Sequence, residues 1–358
     1  MIQLTRKSDK GVVGLEIEAG SIAATELRGH GEVAGTAIAP ISPAAFQDGE
    51  VVDPDTVAEA LRTLFSEHKL SKKVRLGIAN QRVVVRTLRL PAIDDPKELE
   101  AAVRFQAQEQ IPMPLDQAVL DYRVVGGAPP GEDSVAKVDV VVVAARQDMI
   151  RASLGPLRDA GLKPVGVDLS VFGLIRALGG SRPPAQSSEG GEPTPSAILY
   201  CNIGDTANLA VAKGRSCLFT RVAPTGLEDI AANLSSSTDL TIEHARMWLQ
   251  HVGLTAPPEE IAGEPEVVLA ARKALEMGVS AIQDELRLSL DFYGSQEGSL
   301  PVERIVLSGP GSIIPGLSEG IEAGIGLPFE VGRPQALSGL DPTSAARLTL
   351  SYGLALEN

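Results

Sequence analysis

Apolar positions along the chain fall into short continuous runs separated by longer stretches in which they recur at helical spacing. Val12-Val13-Gly14-Leu15-Glu16-Ile17-Glu18, a turn at Gly20-Ser21, and Ile22 to Leu27 read as strand, tight polar turn, strand. Ala197 to Ile203, Gly204-Asp205-Thr206, and Asn208 to Ala212 before a turn at Lys213-Gly214 read the same way. The matched openings suggest an internal duplication.

Between and after them the period keeps switching. Pro54 to Leu70 predicts a helix, with Asp53 as cap and proline at the first turn, and Val74 to Ile78 and Val83 to Leu90 predict strands. Pro96 to Gln110 is a helix with apolar residues at Leu99, Val103, Phe105 and Ala107, stopped by Ile111-Pro112-Met113-Pro114. The Val-rich run Val138 to Ala144 predicts a strand buried on both faces. Helix Gln147 to Ala160, capped by Gly161, strand Lys163 to Asp168 and a helix near Val171 to Leu178 follow. In the second half, Leu227 to Leu234, Ile242 to His251 and Pro265 to Tyr293 predict helices, and Arg304 to Leu307 a strand before a turn at Gly309-Pro310-Gly311 and another helix. Alternation of this kind predicts an α/β class. Gly179 to Ser196 is crowded with Gly, Pro and Ser and loses all periodicity, which predicts a flexible linker.

Composition narrows the picture. At 358 residues the chain predicts two or three domains, and 44% apolar residues supply material for their cores. Aromatics are only 3%, so aliphatic residues and alanine must fill those cores. A formal charge of −14 opposes phosphate contacts, so nucleic acid is a poor partner, and it opposes anionic lipid as well. Any link to a membrane should therefore run through another protein. The segment MIQLTRKSDKGVVGLEIE has no signal-peptide core, and the longest apolar run falls far short of the ~20 residues that span a bilayer. A soluble cytoplasmic protein without direct membrane insertion is expected. Two cysteines, Cys201 and Cys217, make no disulfide framework, and Cys201 should be buried and inert.

Candidate chemistry centres on the two hairpins. Backbone N–H groups at tight turns can hold phosphate oxygens, and a carboxylate at a strand end can hold Mg²⁺ through water. Two such hairpins facing each other would clamp a nucleotide; equally, they read as ordinary hairpins. Leu307-Ser308-Gly309-Pro310-Gly311 permits close backbone approach of a ligand, or simply a turn that needs glycine. His30, His68, His244 and His251 complete no metal set, and HExxH, GxxxxGK[ST] and GxGxxG are absent.

Several ordered segments together resemble the PilM family of type IV pilus assembly proteins, over about Val12 to Leu356. They are ELEAAVRFQAQEQIPMPLDQAVLDYRVVG, VVVAARQDMIRASLGPLRDAGLKPVGVDLSVFGLIRAL, LFTRVAPTG, LSGPGSIIPGL and TLSYGLALE. The resemblance implies an actin-like (ribonuclease H-like) α/β fold of two lobes. It implies a first lobe in residues 1–71 and 166–180, an inserted subdomain at 72–165, a linker at 181–196 and a second lobe at 197–358. It further implies a cytoplasmic platform that binds the N-terminal tail of a PilN-like inner-membrane protein, against the inserted subdomain, and contacts the pilus motor machinery.

The resemblance also maps a nucleotide site. ATP with Mg would lie against Glu16, Asn202, Gly204, Asp205, Gly226, Gly309 and Gly311, with Asp168 orienting water and Mg near Glu16, Asp168 or Asp205. Here the sequence departs from the family pattern. Glu16-Ile17-Glu18-Ala19 stands where D-I-G-S is usual, and Ala23 where a lysine is usual. Asn202-Ile203-Gly204 replaces D-I-G, and Ala245-Arg246-Met247-Trp248-Leu249 lacks the Glu and Lys of A-E-x-L-K. Glu18 puts bulk and like charge where a phosphate would approach. The expectation is a scaffold with a degenerate nucleotide site. The alternatives are an active ATPase of the same machinery, an FtsA-like protein, or the cytoplasmic part of a type II secretion system, with a sugar kinase behind them.

Overall fold

The computed structural model describes residues 11–29, 31–47, 49–128, 136–179 and 195–357. Of the expected linker, Gly179 to Ser196, only residues 179, 195 and 196 are among those described.

The chain opens with the meander β1 (Val13–Glu18), β2 (Ser21–Arg28) and β3 (Glu32–Pro40), then the short pair β4 (Phe46–Gln47) and β5 (Glu50–Val51). Helix α1 (Pro54–Glu67) precedes β6 (Lys73–Ile78) and β7 (Val84–Pro91). Next come α2 (Pro96–Gln110), β8 (Ala118–Ala128), β9 (Lys137–Arg146), α3 (Gln147–Asp159), β10 (Lys163–Leu169) and α4 (Ser170–Leu178). The second half runs through β11 (Ala197–Ile203), β12 (Ala207–Lys213), β13 (Ser216–Ala223), α5 (Leu227–Ser237), α6 (Ile242–Val252) and the long α7 (Pro265–Gly294). It closes with β14 (Val302–Ser308), α8 (Leu317–Ile325), β15 (Phe329–Val331) and α9 (Pro342–Ala355).

Local chemistry sets the helix ends. The Asp53 carboxylate accepts from the amides of Asp55 and Thr56, and Asp95 does the same for Lys97 and Glu98. Pro54 and Pro96 follow at the first helical position, where their missing N–H costs nothing. Thr241 caps α6 and Asp341 caps α9 in the same way.

Two five-stranded sheets repeat one topology. The first runs β3-β2-β1-β6-β10, the second β13-β12-β11-β14-β15. In each, an antiparallel three-strand meander is extended by two strands parallel to its first. Each sheet buries aliphatic residues against its own helices: Leu15, Ile22 and Val74 against Leu61 and Leu64 in the first, Leu199 and Ile203 against Ile230, Leu234 and Leu275 in the second. A separate antiparallel sheet, β7-β9-β8, carries α2 on one face, with Val103 and Ala107 packed on Leu88, Val140 and Val142. The stretch 72–165 therefore contributes to two sheets, since β6 pairs with β1 and β10 while β7, β8 and β9 pair only with each other.

Helices α4 and α9 bind the halves together. Leu174 and Ile175 of α4 pack with Tyr200, Ala210 and Val306 of the second sheet, and Leu350 of α9 joins them. Glycines let the two helices touch: a Cβ at Gly353 would lie 1.9 Å from the Gly173 carbonyl oxygen. The end of α9 is then gripped from the first lobe. Arg75 donates to the Leu354 and Leu356 carbonyls at 2.8 Å each, and Arg176 to the Gly353 carbonyl at 2.9 Å.

Candidate functional site

The register of β1 with β2 pairs Glu16 with Ala23 and Glu18 with Ser21, so both glutamates leave the same face of β1 as it reaches its turn. The β11–β12 pair ends equivalently at Ile203 and Ala207, leaving Gly204-Asp205-Thr206 as its turn. The two turns face each other across the space between the lobes. Gly20 carries φ +87°, which only glycine adopts freely.

The contacts between the turns are reciprocal. The Ala19 amide donates to Asp205 Oδ2 at 2.9 Å, and the Glu18 carboxylate reaches back over the second turn. The Glu18 carboxylate lies so close over Gly204 that a Cβ there would meet its Oε1 at 2.2 Å. Asp205 Oδ1 also accepts from the Thr206 amide at 2.7 Å. From α6, Arg246 lies against Gly20, donates to the Ala19 carbonyl at 3.0 Å, and pairs with Glu228 at the start of α5, Nε to Oε2 3.1 Å.

Glu16 is buried, and Glu18 and Asp205 are half-buried beside it. Burial, with the Glu18 and Asp205 charges, pushes Glu16 well above the usual carboxylate range, while Arg347 of α9 pulls it back in part. Burial and Asp205 push Glu18 up likewise, opposed by Arg347, Arg246 and the Asp205 amide. Burial raises Asp205 despite the amides it accepts. Arg347, itself lowered by burial, lines a small cavity with Glu16, Glu18 and Asn202. A triphosphate at these turns would meet three carboxylates, and the Ala19 and Thr206 amides already donate to Asp205.

The other sequence-derived positions separate into two groups. Asn202, Gly204, Gly226, Gly309 and Gly311 cluster: a Cβ at Gly226 would strike the Asp205 carbonyl oxygen at 2.1 Å, one at Gly309 the Asn202 side chain at 2.6 Å, and one at Gly311 the Ile203 side chain at 2.5 Å. These glycines serve close packing within the second lobe. Asp168 stands apart: its Oδ2 pairs with Arg176 Nη2 at 2.5 Å and its Oδ1 accepts from the Leu169 amide at 2.8 Å. Among the described residues no group of three His, Cys, Asp or Glu side chains is placed to hold a metal ion, so the structure does not bring Glu16, Asp168 and Asp205 together as expected for Mg. The ion pair with Arg176 is the physical reason for Asp168. Arg246 stands out in the sequence as the departure from the α6 motif, whereas Glu228 and Arg347 carry no sequence signal of their place at the turns. Cys201 and Cys217 are buried, and burial pushes both thiols up to about 12.

A second cleft opens beside the three-stranded sheet. It holds about 290 Å³ and is walled by Ile78 to Gln81, Val83 and Val85 on one side and by Thr220 to Val222 and Pro224 of β13 and its turn on the other. Asn208 lines it, and among the described residues its buried side-chain oxygen has no hydrogen-bond partner.

Comparison with known proteins places this geometry in a family. The model of the type IV pilus assembly protein PilM family matches residues 14–356. A PilM–PilN type IV pilus biogenesis complex contains a chain 26% identical, with TM-score 0.77 over 96% of this chain and 97% of that one. The fold is also that of the ethanolamine utilization protein EutJ from Carboxydothermus hydrogenoformans, 14% identical with TM-score 0.54 over 96% of this chain and 88% of that one. It is shared too by MreB5 of Spiroplasma citri bound to ADP, 12% identical with TM-score 0.52 over 97% and 95% of the respective chains. Both share an actin-like fold with this chain.

Proposed function

The chain belongs to the PilM family of type IV pilus assembly proteins, and we propose that it acts there as a docking platform with a degenerate nucleotide site rather than as an ATPase. The partner of the relative in the PilM–PilN complex suggests what docks: the N-terminal tail of a PilN-like membrane protein. The cleft between the 78–85 segment and β13 carries this reading. It is polar, open, and supplies a buried acceptor, Asn208 Oδ1, that a donor on an extended peptide would satisfy. We take the inserted unit as residues 84–146, the span of the three-stranded sheet and α2, which borders the cleft through Val85. That unit also offers a surface for the pilus motor machinery.

Among the described residues no helix is long and apolar enough to cross a membrane, and recruitment to the inner face of the cell membrane through the partner accords with the net charge of −14. The residues at the facing turns do not suit a nucleoside triphosphate, so no catalytic step is assigned to Asp168 or to bound Mg.

Calorimetric titration of the whole protein tests both halves of the proposal. A peptide from the PilN-like tail is expected to bind, and Asn208→Ala to weaken it about tenfold, the cost of one lost buried hydrogen bond. Mg-ATP is expected to give no binding heat. Tight ATP binding with turnover restores the ATPase reading, and absence of peptide binding removes the platform reading.

A further inference from the structure

The two facing turns lie between the lobes and hold each other. The Ala19 amide of the first-lobe turn donates to the Asp205 carboxylate of the second-lobe turn at 2.9 Å, and the Glu18 carboxylate of the first is seated over Gly204 of the second. Arg246 adds a third link, carrying the Glu228 carboxylate of the second lobe to the Ala19 carbonyl of the first.

We propose that this exchange is a built-in latch that keeps the two lobes closed without a bound ligand. The argument is one of satisfied groups. An amide that loses its partner is unfavourable, so separating the turns exposes a donor that then needs water or a phosphate. Gly204 and Gly20 allow the close seating, since side chains there would collide with Glu18 and Arg246. The charges facing the turns are Glu16 on β1, Arg347 on α9, Arg246 on α6 and Glu228 on α5; the two arginines offset the crowding of acids. A closed state also fixes the separation of the two walls of the docking cleft, one from each lobe. That last consequence rests on the docking reading above, whereas the latch itself does not.

Spin labels at Ser66→Cys on α1 and Ser280→Cys on α7, both exposed and in opposite lobes, report closure by pulsed dipolar spectroscopy. The native Cys201 and Cys217 are buried and remain unlabelled. The full chain without ligand is expected to give one narrow distance distribution that Mg-ATP leaves unchanged. Arg246→Ala, which removes the third link, and Gly204→Val, which drives a wedge under the Glu18 carboxylate, are each expected to broaden it toward longer distances. Opening in either folded variant supports the latch. A broad distribution in the unaltered protein, narrowing on Mg-ATP, or no change in either folded variant overturns it; if neither variant folds, an unaltered protein that stays narrow and deaf to Mg-ATP supports it. Because no peptide is present, these results are independent of docking. A narrow distribution together with failure to bind the tail peptide would remove the docking reading and leave the latch standing.

Discussion

Glu16 and Glu18 reverse the pH dependence that a paired carboxylate confers. A carboxyl whose folded-state pKa lies above its unfolded value holds its proton more tightly when folded. Its contribution to stability is fully present below the ordinary glutamate value, about 4.5, and is lost as pH rises through the raised value. The melting temperature should therefore fall as pH climbs from the ordinary carboxylate range toward neutrality. Glu16→Gln should flatten that fall, since it removes one titrating group from beside Glu18 and Asp205. Equal slopes for the parent and Glu16→Gln would show that the decline comes from the overall acidity of the chain and not from this cluster. The sequence made Glu18 conspicuous as a carboxylate in a glycine's place. It did not disclose the partner, because Ala19 and Asp205 are 186 positions apart and a turn's amides carry no sequence signature.

At the scale of elements, Asp168 belongs to the grip on α9. Its carboxylate holds Arg176, whose Nε donates to the Gly353 carbonyl beside the two carbonyls held by Arg75. A cation at a helix C-terminus is favoured by the helix dipole, and this one is buried, with side-chain exposures of 7% for Arg176 and 15% for Asp168. Asp168→Ala removes one partner of this buried ion pair and should cost about 3 kcal/mol in urea unfolding. A catalytic aspartate would leave stability untouched and remove ATP turnover instead. Elements with strong punctuation were legible from sequence: α2 begins at its cap and proline and ends before Pro112, at the expected residues. Other elements were not. β3 is built from Ala, Gly and Thr with a mostly half-buried pattern, and α9 is buried around most of its circumference by Ala, Ser, Thr and Gly. Neither shows the alternation or stripe that periodicity detects.

For the molecule as a whole, α4 and α9 make the lobes interdependent. Gly353→Ala places a methyl group 1.9 Å from the Gly173 carbonyl oxygen and should cost about 1–3 kcal/mol through overpacking. Trp248, the only tryptophan, packs against the second-lobe core on α6, away from that contact. Its fluorescence transition is expected to shift together with the far-ultraviolet circular dichroism transition and by the same amount. A tryptophan transition that stays in place would mean that the lobes unfold separately. The duplicated openings in the sequence anticipated the repeated sheet topology, but not that the last helix would complete the first lobe. That arrangement bears on how the protein is made. Thr25 of β2 shares a hydrogen bond with Ser351 of α9 across 326 positions of chain. At the usual ~5–20 residues per second of translation, the first lobe waits on the order of tens of seconds for the helix that covers β1 and β2. During that interval the nascent chain carries a sheet with the face of Ala23 and Thr25 uncovered, and chaperone occupancy of nascent chains should be greatest until α9 emerges.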